Sequence, residues 1–295
     1  MDDLDLMVVR RLNKVKVVSC ILIILAILIL IIVAINNSSK EKKQESLSQE
    51  KNVIEVQLEN DTNEGKMVEI KNVKLPVLTE EAKEKIDNIY HLEGKTAYLT
   101  FDDGPSNSVT PLILQVLKEK NVKATFFTLG SRVELYPELV RQEYDEGHYI
   151  ANHGYTHVYS SIYQTPEEVL SEYNQTEQAI KNALGNDKYN SHLFRFPGGS
   201  VGGKYAEIKS EAIEILAQNN IAYLDWNALT NDAAGANTKE EMMEYLVSTV
   251  GEKSNVVILM HDAADKILTY ELLPEIIDYL AEKGYTFENF YNIIK

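Results

Sequence analysis

An α/β fold built on a parallel sheet is what the C-terminal two-thirds of this 295-residue chain predicts. Three observations carry that prediction. Short apolar segments alternate with segments of helical period roughly seven times from Lys95 onward. Helix-start signals recur between them. Charged and imidazole side chains stand at the ends of the apolar segments, where parallel α/β folds collect their chemistry. Repeated βα units imply a parallel sheet, either open or closed into a barrel, and periodicity alone does not choose between the two.

Glu80–Tyr90 reads as a short helix leading into the domain, and Thr96–Phe101 (TAYLTF) as a buried strand. Thr110–Lys120 is a helix with Pro111 in its first turn, where a missing N–H costs nothing. Val122–Leu129 is the second strand, Pro137–Glu146 a helix ended by Gly147, and His148–Ile150 a short strand. Thr165-Pro166-Glu167-Glu168 is a capping box that opens a long helix. Leu193–Phe196, Ile221–Asp225, Val256–His261 and Tyr285–Phe287 are further strands, with helices at 205–219, 239–250 and 270–282. A second capping box, Thr238-Lys239-Glu240-Glu241, starts the middle one of these.

The N-terminal part is organised differently. Val17–Ile35 is an uninterrupted apolar run, with no charge between Lys16 and Lys40. Its length, roughly 29 Å as a helix, matches a hydrocarbon core of about 30 Å. The run is longer than a signal peptide's apolar region and lacks a clean small-residue cleavage site after it. It therefore reads as a transmembrane anchor. Val17-Val18-Ser19-Cys20 resembles a lipoprotein box but opens the run instead of closing it. Residues 36–52 are almost wholly polar and read as a flexible stalk. The expected layout is a cytoplasmic tail (1–16), an anchor in the membrane (17–35), a stalk with a small N-terminal segment (36–89) and the α/β domain (90–295). A single-pass protein of the cell membrane with its catalytic domain extracytoplasmic is the simplest topology, since long domains translocate largely regardless of charge. The net charge of −16 and pI near 4.9 argue against a nucleic-acid partner, which needs a basic face. The one cysteine, Cys20, excludes an intrachain disulfide.

Four motifs carry chemistry. Thr100-Phe101-Asp102-Asp103-Gly104-Pro105 sets two carboxylates at the end of an apolar strand, where like charges raise each other's pKa unless a cation is present. His153 and His157 stand four apart; on a helical turn that spacing places both rings on one face. With one carboxylate they leave coordination positions open, the arrangement of a catalytic metal site. Arg195 precedes Pro197-Gly198-Gly199, and an Arg over a carboxylate pair would keep it ionised and oriented. The glycine turn lets backbone N–H groups approach a ligand. His261 ends an apolar strand as a candidate general acid, with Asp225 or Asp232 available to hold it protonated.

TFDDG, H-x-x-x-H, R-x-P-x-G, an acidic motif and L-x-H, in that order from Tyr90 to Lys295, resemble the polysaccharide deacetylases of the NodB-homology group, carbohydrate esterase family 4. The resemblance implies a distorted (β/α) barrel of about seven parallel strands that hydrolyses N-acetyl or O-acetyl groups on a sugar polymer. It implies one divalent metal held by Asp103, His153 and His157; zinc suits these ligands, and cobalt, nickel or manganese fit them too. Asp102 would be the general base, Arg195 would orient it, Asp232 would tune the general acid His261, Gly198 N–H would face the oxyanion and Leu259 would line the acetate pocket. The chain departs from the family pattern at Gly154, at Gly198 (where Tyr is usual) and at Ala233; the last two open the pocket. With the anchor, the expected substrate is cell-wall glycan, N-acetylglucosamine of peptidoglycan first. N-acetylmuramic acid, another exopolysaccharide or an O-acetylated sugar is the alternative within that class. A catalytically weak glycan-binding or envelope-scaffolding protein is the alternative outside it.

Overall fold

The computed structural model describes residues 75–295. The chain separates into two units, Met1–Asn72 and Val73–Lys295, and every described residue belongs to the second. The membrane span expected at 17–35 and the stalk at 36–52 lie outside the described residues. Among the described residues no helix is long and apolar enough to cross a membrane.

Strands β1 (Thr96–Asp102) and β7 (Asn255–His261) form the middle of the sheet, and every residue in both is buried. A strand covered on both faces is apolar along most of its length for that reason, here with polar residues kept mainly to the ends. Around them stand β2 (Thr125–Thr128), β3 (Tyr149–Asn152), β4 (Leu193–Phe194), β5 (Ala222–Tyr223) and β6 (Ala228–Leu229). The order is β5-β4-β3-β2-β1-β7-β6 and each neighbouring pair is parallel, so all strand C-termini share one end. A further strand, β8 (Thr286–Phe287), pairs with Thr96 and Ala97 at the base of β1, whereas β2 pairs with Thr100 to Asp102 at its top. Since β7 occupies the whole of one β1 edge, β2 and β8 divide the other.

The expected distorted barrel is met by seven parallel strands whose ladder stays open at one seam. β5 and β6 are the two ends of the path, yet only Leu224–Asn227 separates them in the chain, so the sheet curls until its ends nearly meet. Asn227 stands in for a strand on the seam side of β7. Its amide donates to Asn255 O (2.9 Å), its side-chain oxygen accepts from Val257 N (2.9 Å), and its backbone N–H donates to Val257 O (3.2 Å).

Strand alternation produces two apolar layers. Ala97, Leu99, Phe101, Val256, Ile258 and Met260 face outward into a cluster shared with the helices Thr110–Glu119, Lys239–Val250 and Ile267–Glu282. Tyr98 and Val257 face inward with Phe127, Tyr149 and Leu193. Leu78, Ala82, Ile86, Ile89, Phe290 and Ile294 join this inner cluster. The packed unit therefore includes residues upstream of position 90.

Several boundaries differ from the sequence reading. The third strand is Tyr149–Asn152, not His148–Ile150, because His148 Nδ1 accepts from Ala124 N (3.0 Å) below the ladder's start. The last long helix starts at Ile267. The short helices Gly130–Leu135 and Tyr159–Ile162 and the two-residue strand β6 are too brief to show a period.

Candidate active site

Asp102 closes β1, Asp103 comes directly after it, and His153 comes directly after β3, all at the C-terminal end of the sheet. Asp103 Oδ1 lies 3.6 Å from His153 Nε2 and 3.4 Å from His157 Nε2. A ligand atom from each of the three falls within 4.8 Å of the others. Ligands at about 2.1 Å around a tetrahedral ion are separated by about 3.4 Å, so the set fits a divalent cation. Asp103 Oδ1 is buried and accepts no hydrogen bond among the described residues, which a cation would answer. His153 Nδ1 lies 2.8 Å from Arg195 O; a carbonyl only accepts, so Nδ1 carries the proton and Nε2 offers its lone pair to the ion. Burial pushes the His153 imidazole down to about 3, which keeps it in the neutral form that ligates.

The two histidines do not meet on a helical turn, as their spacing predicted. Residues 153–158 form a loop in which Gly154 (φ 81°) and His157 (φ 58°) adopt left-handed backbone. Asp103 is left-handed as well (φ 73°). Such conformations persist in non-glycine residues when the surroundings hold them, and they concentrate at functional sites. What holds this loop is Glu172, buried on the helix Pro166–Leu184. Its carboxylate accepts from Tyr155 N (2.9 Å), Thr156 N (3.0 Å) and Thr156 Oγ1 (2.6 Å).

Asp102 is bound from behind. Arg195, fully buried, donates from Nη1 to Asp102 Oδ1 (2.8 Å) and Thr100 Oγ1 (2.7 Å). The rest of its fork reaches the segment after β5, to Leu224 O (3.0 Å) and Asp225 O (3.2 Å). Its guanidinium lies 3.9 Å from the centre of the Phe127 ring. Burial raises the Asp102 carboxyl above the usual carboxylate range, with the Arg195 and His261 charges pulling against it. A cation at the neighbouring ligand set would act in the same sense as Arg195 and favour the carboxylate. Asp102 and His261 are register partners on adjacent parallel strands, which puts their side chains on the same inward face.

His261 Nδ1 and Asp232 Oδ1 are 2.8 Å apart, and Asp232 Oδ2 accepts from His261 N (2.8 Å) and Thr269 Oγ1 (2.8 Å). Burial alone would lower the imidazole; the bond to Asp232 and the charges of Asp232, Asp102 and Asp103 outweigh it and raise His261 to about 9. Asp232 is correspondingly lowered, its burial overcome by the bonds from His261 and Thr269. Of the two carboxylates open to this role, Asp232 takes it. Asp225 instead accepts from Ser200 N (3.0 Å) and Ser200 Oγ (2.6 Å).

The Pro197–Ser200 turn is gripped on three sides. Tyr163 Oη donates to Pro197 O (2.7 Å), Lys209 Nζ to Gly199 O (2.6 Å), and Asp225 holds Ser200. Gly198 is exposed, and its N–H makes no hydrogen bond among the described residues, as a donor reserved for a ligand would have it. The absent side chain at 198 does not leave open space: Tyr159 Oη lies where a Cβ would point. Leu259 is buried on β7, two residues before His261 and on the same face, outside the apolar clusters. Glu172, Tyr159 and Asp262 were not singled out by sequence. Asp262 is fully buried and raised to about 7 by that burial; it accepts from Thr110 Oγ1 (2.5 Å) and lies against Gly104, whose Cβ would clash with it. Two helices and the loop after β7 supply these three, so no local signal marked them.

Residues 90–221 match a family model described as polysaccharide deacetylase. The chain is 36% identical over 204 residues to a peptidoglycan-N-acetylglucosamine deacetylase of Bacillus cereus, covering 68% of this chain and 70% of that protein. It is 34% identical to a protein of the same name from Listeria monocytogenes, over 65% of this chain but 37% of that one. This chain therefore spans little more than a third of the Listeria relative. A carbohydrate esterase family 4 enzyme of Streptococcus mutans has a similar structure, with TM-score 0.64 at 32% identity, covering 70% of this chain and 90% of that one.

Proposed function

We propose that this chain, which belongs to the polysaccharide deacetylase family (the NodB-homology group of carbohydrate esterase family 4), removes N-acetyl groups from cell-wall glycan in a metal-dependent hydrolysis. N-acetylglucosamine of peptidoglycan is the favoured substrate, in keeping with the names of its relatives. The observation that carries the reading is the placement of one base and one acid around one ligand set. Asp102 and His261 stand in register on neighbouring strands, beside Asp103, His153 and His157.

Asp103, His153 and His157 would hold the ion; the donor set suits zinc, and cobalt, nickel or manganese as well. The ion, when bound, supplies Lewis acidity to the acetyl carbonyl and the attacking water. The protein's own residues do the rest. Asp102, fixed by Arg195, accepts a proton from the water. Gly198 N–H faces the oxygen that gains charge as the carbonyl is attacked. His261 holds a proton through neutral pH because Asp232 backs it, and delivers it to the departing amine nitrogen. Acetate and a free amino sugar leave.

The test is acetate release from chitooligosaccharide and purified peptidoglycan by the full chain, with mass spectrometry locating the freed amine. Chelation should abolish release and a divalent metal restore it. No acetate under zinc, cobalt, nickel or manganese would sink the reading.

A further inference from the structure

A Cβ built at Gly198 would lie 2.4 Å from Tyr159 Oη and 3.1 Å from its Cζ. The space in which a residue-198 side chain would begin is thus filled by a phenol from another element, the helix Tyr159–Ile162. That helix comes directly after the metal-ligand loop, and the rings of His157 and Tyr159 have centroids 5.5 Å apart. On its other side Tyr159 packs edge-on to Tyr163 at 5.7 Å, and Tyr163 grips the same turn through Pro197 O. The Tyr159 ring is therefore wedged between a metal ligand and the turn carrying the candidate oxyanion donor.

Tyr159 nevertheless remains 40% exposed, and its hydroxyl makes no hydrogen bond among the described residues. Its ring is packed while its hydroxyl stays open to what enters the site. Tyr163, buried beside it, commits its own hydroxyl to Pro197 O. Of the two, Tyr159 keeps its donor for what enters beside Gly198 and His157.

We propose that Tyr159 is a substrate-contacting, specificity-determining residue of this site. Its ring forms the pocket wall that Gly198 lacks, and its O–H donates to an oxygen of the sugar that carries the acetamide. Binding sites of this kind combine an aromatic wall with a few placed polar groups. The role of Tyr159 as a sugar contact rests on the deacetylase reading.

Two variants of the full chain separate the wall from the donor. Tyr159→Phe keeps the ring and removes the hydroxyl; it should lower kcat/KM on chitotetraose by about tenfold, mostly through KM. Tyr159→Ala removes both and should cost more. Affinity for chitotetraose, measured by calorimetry with zinc on an Asp102→Asn background, should fall in the same order. Zinc stoichiometry should stay at that of the parent chain, since the hydroxyl serves the glycan and not the ion. Affinity unchanged within twofold in the Phe variant would overturn the donor, and in both variants the whole proposal. Loss of zinc would overturn it too, by showing that Tyr159 acts through His157. Should Tyr159→Ala fail to fold, the Phe variant alone decides. A parent chain that releases no acetate yet binds chitotetraose in a Tyr159-dependent way would fault the deacetylase reading and leave the contact standing.

Discussion

On one side of β1, Asp103, His153 and His157 bring a carboxylate oxygen and two imidazole nitrogens together with no proton fit to satisfy all three. On the other side, Asp232 and His261 bring a carboxylate and one imidazole together and satisfy each other at 2.8 Å. The same residue types serve in both places, and environment decides what they do. His153 is dried out, loses its proton and becomes a lone-pair donor; His261 is backed by an anion and keeps its proton. The first group suits a cation and the second holds a proton, so metal and pH should act on them separately.

The severest way to break that separation is to remove a ligand. His153→Ala should eliminate stoichiometric zinc and lower kcat by about 10³-fold or more, as several kcal/mol of carbonyl polarisation are lost. The alkaline limb of any residual activity should stay put. Metal analysis and a pH–rate profile check both halves.

Asp232→Asn should do the reverse. His261 is raised to about 9 from an ordinary 6.5, so activity that needs its proton holds below about 9 and falls above it. Removing the Asp232 charge takes away the chief upward influence and leaves burial, which lowers the pKa, opposed only by the charges of Asp102 and Asp103. The limb should then move to about 6.5 or below, a loss of about 30-fold at pH 8, with zinc binding unchanged. The same pair adds folding stability that is whole below about pH 6.5 and is lost as pH rises through about 9, which thermal melts across that range would register. A limb that stays near 9 would contradict the pairing.

The mildest test sharpens the metal side alone. Glu172→Gln keeps the size of the side chain but weakens its grip on Tyr155 N, Thr156 N and Thr156 Oγ1. Zinc affinity should fall about 10- to 100-fold, as for other groups that orient a ligand without touching the ion. Activity at saturating zinc should remain near that of the parent chain.

What the sequence made legible was local. Two aspartates at the end of one apolar run, two histidines four apart and a histidine closing another run could each be read from a handful of neighbours. So could the capping boxes, where Thr165 and Thr238 accept from Glu168 N and Glu241 N. What stayed hidden depends on distance along the chain. Glu172 lies on a helix whose pattern shows only an amphipathic face, and its reach back to the ligand loop exists only after folding. The turn that brings His153 to His157 is made by left-handed residues, and no period announces those. Tyr159 belongs to no pattern the sequence displays, and only the missing Cβ of Gly198 gives its hydroxyl a meaning. The seam escaped notice because a single side chain, Asn227, does there what a strand would do.

The ladder between β1 and β7 has a consequence for how this catalyst can vary. It runs from Thr96 opposite Asn255 to Asp102 opposite His261, so the proposed base and acid are the last rung of a zipper. Side chains alternate faces along a strand, and a slip of one residue anywhere below would turn one partner outward into the helices. Length changes inside either strand are thereby forbidden to a working enzyme. Loops beyond the last rung are free to lengthen, shorten or change composition around an Asp102–His261 pair whose spacing stays fixed.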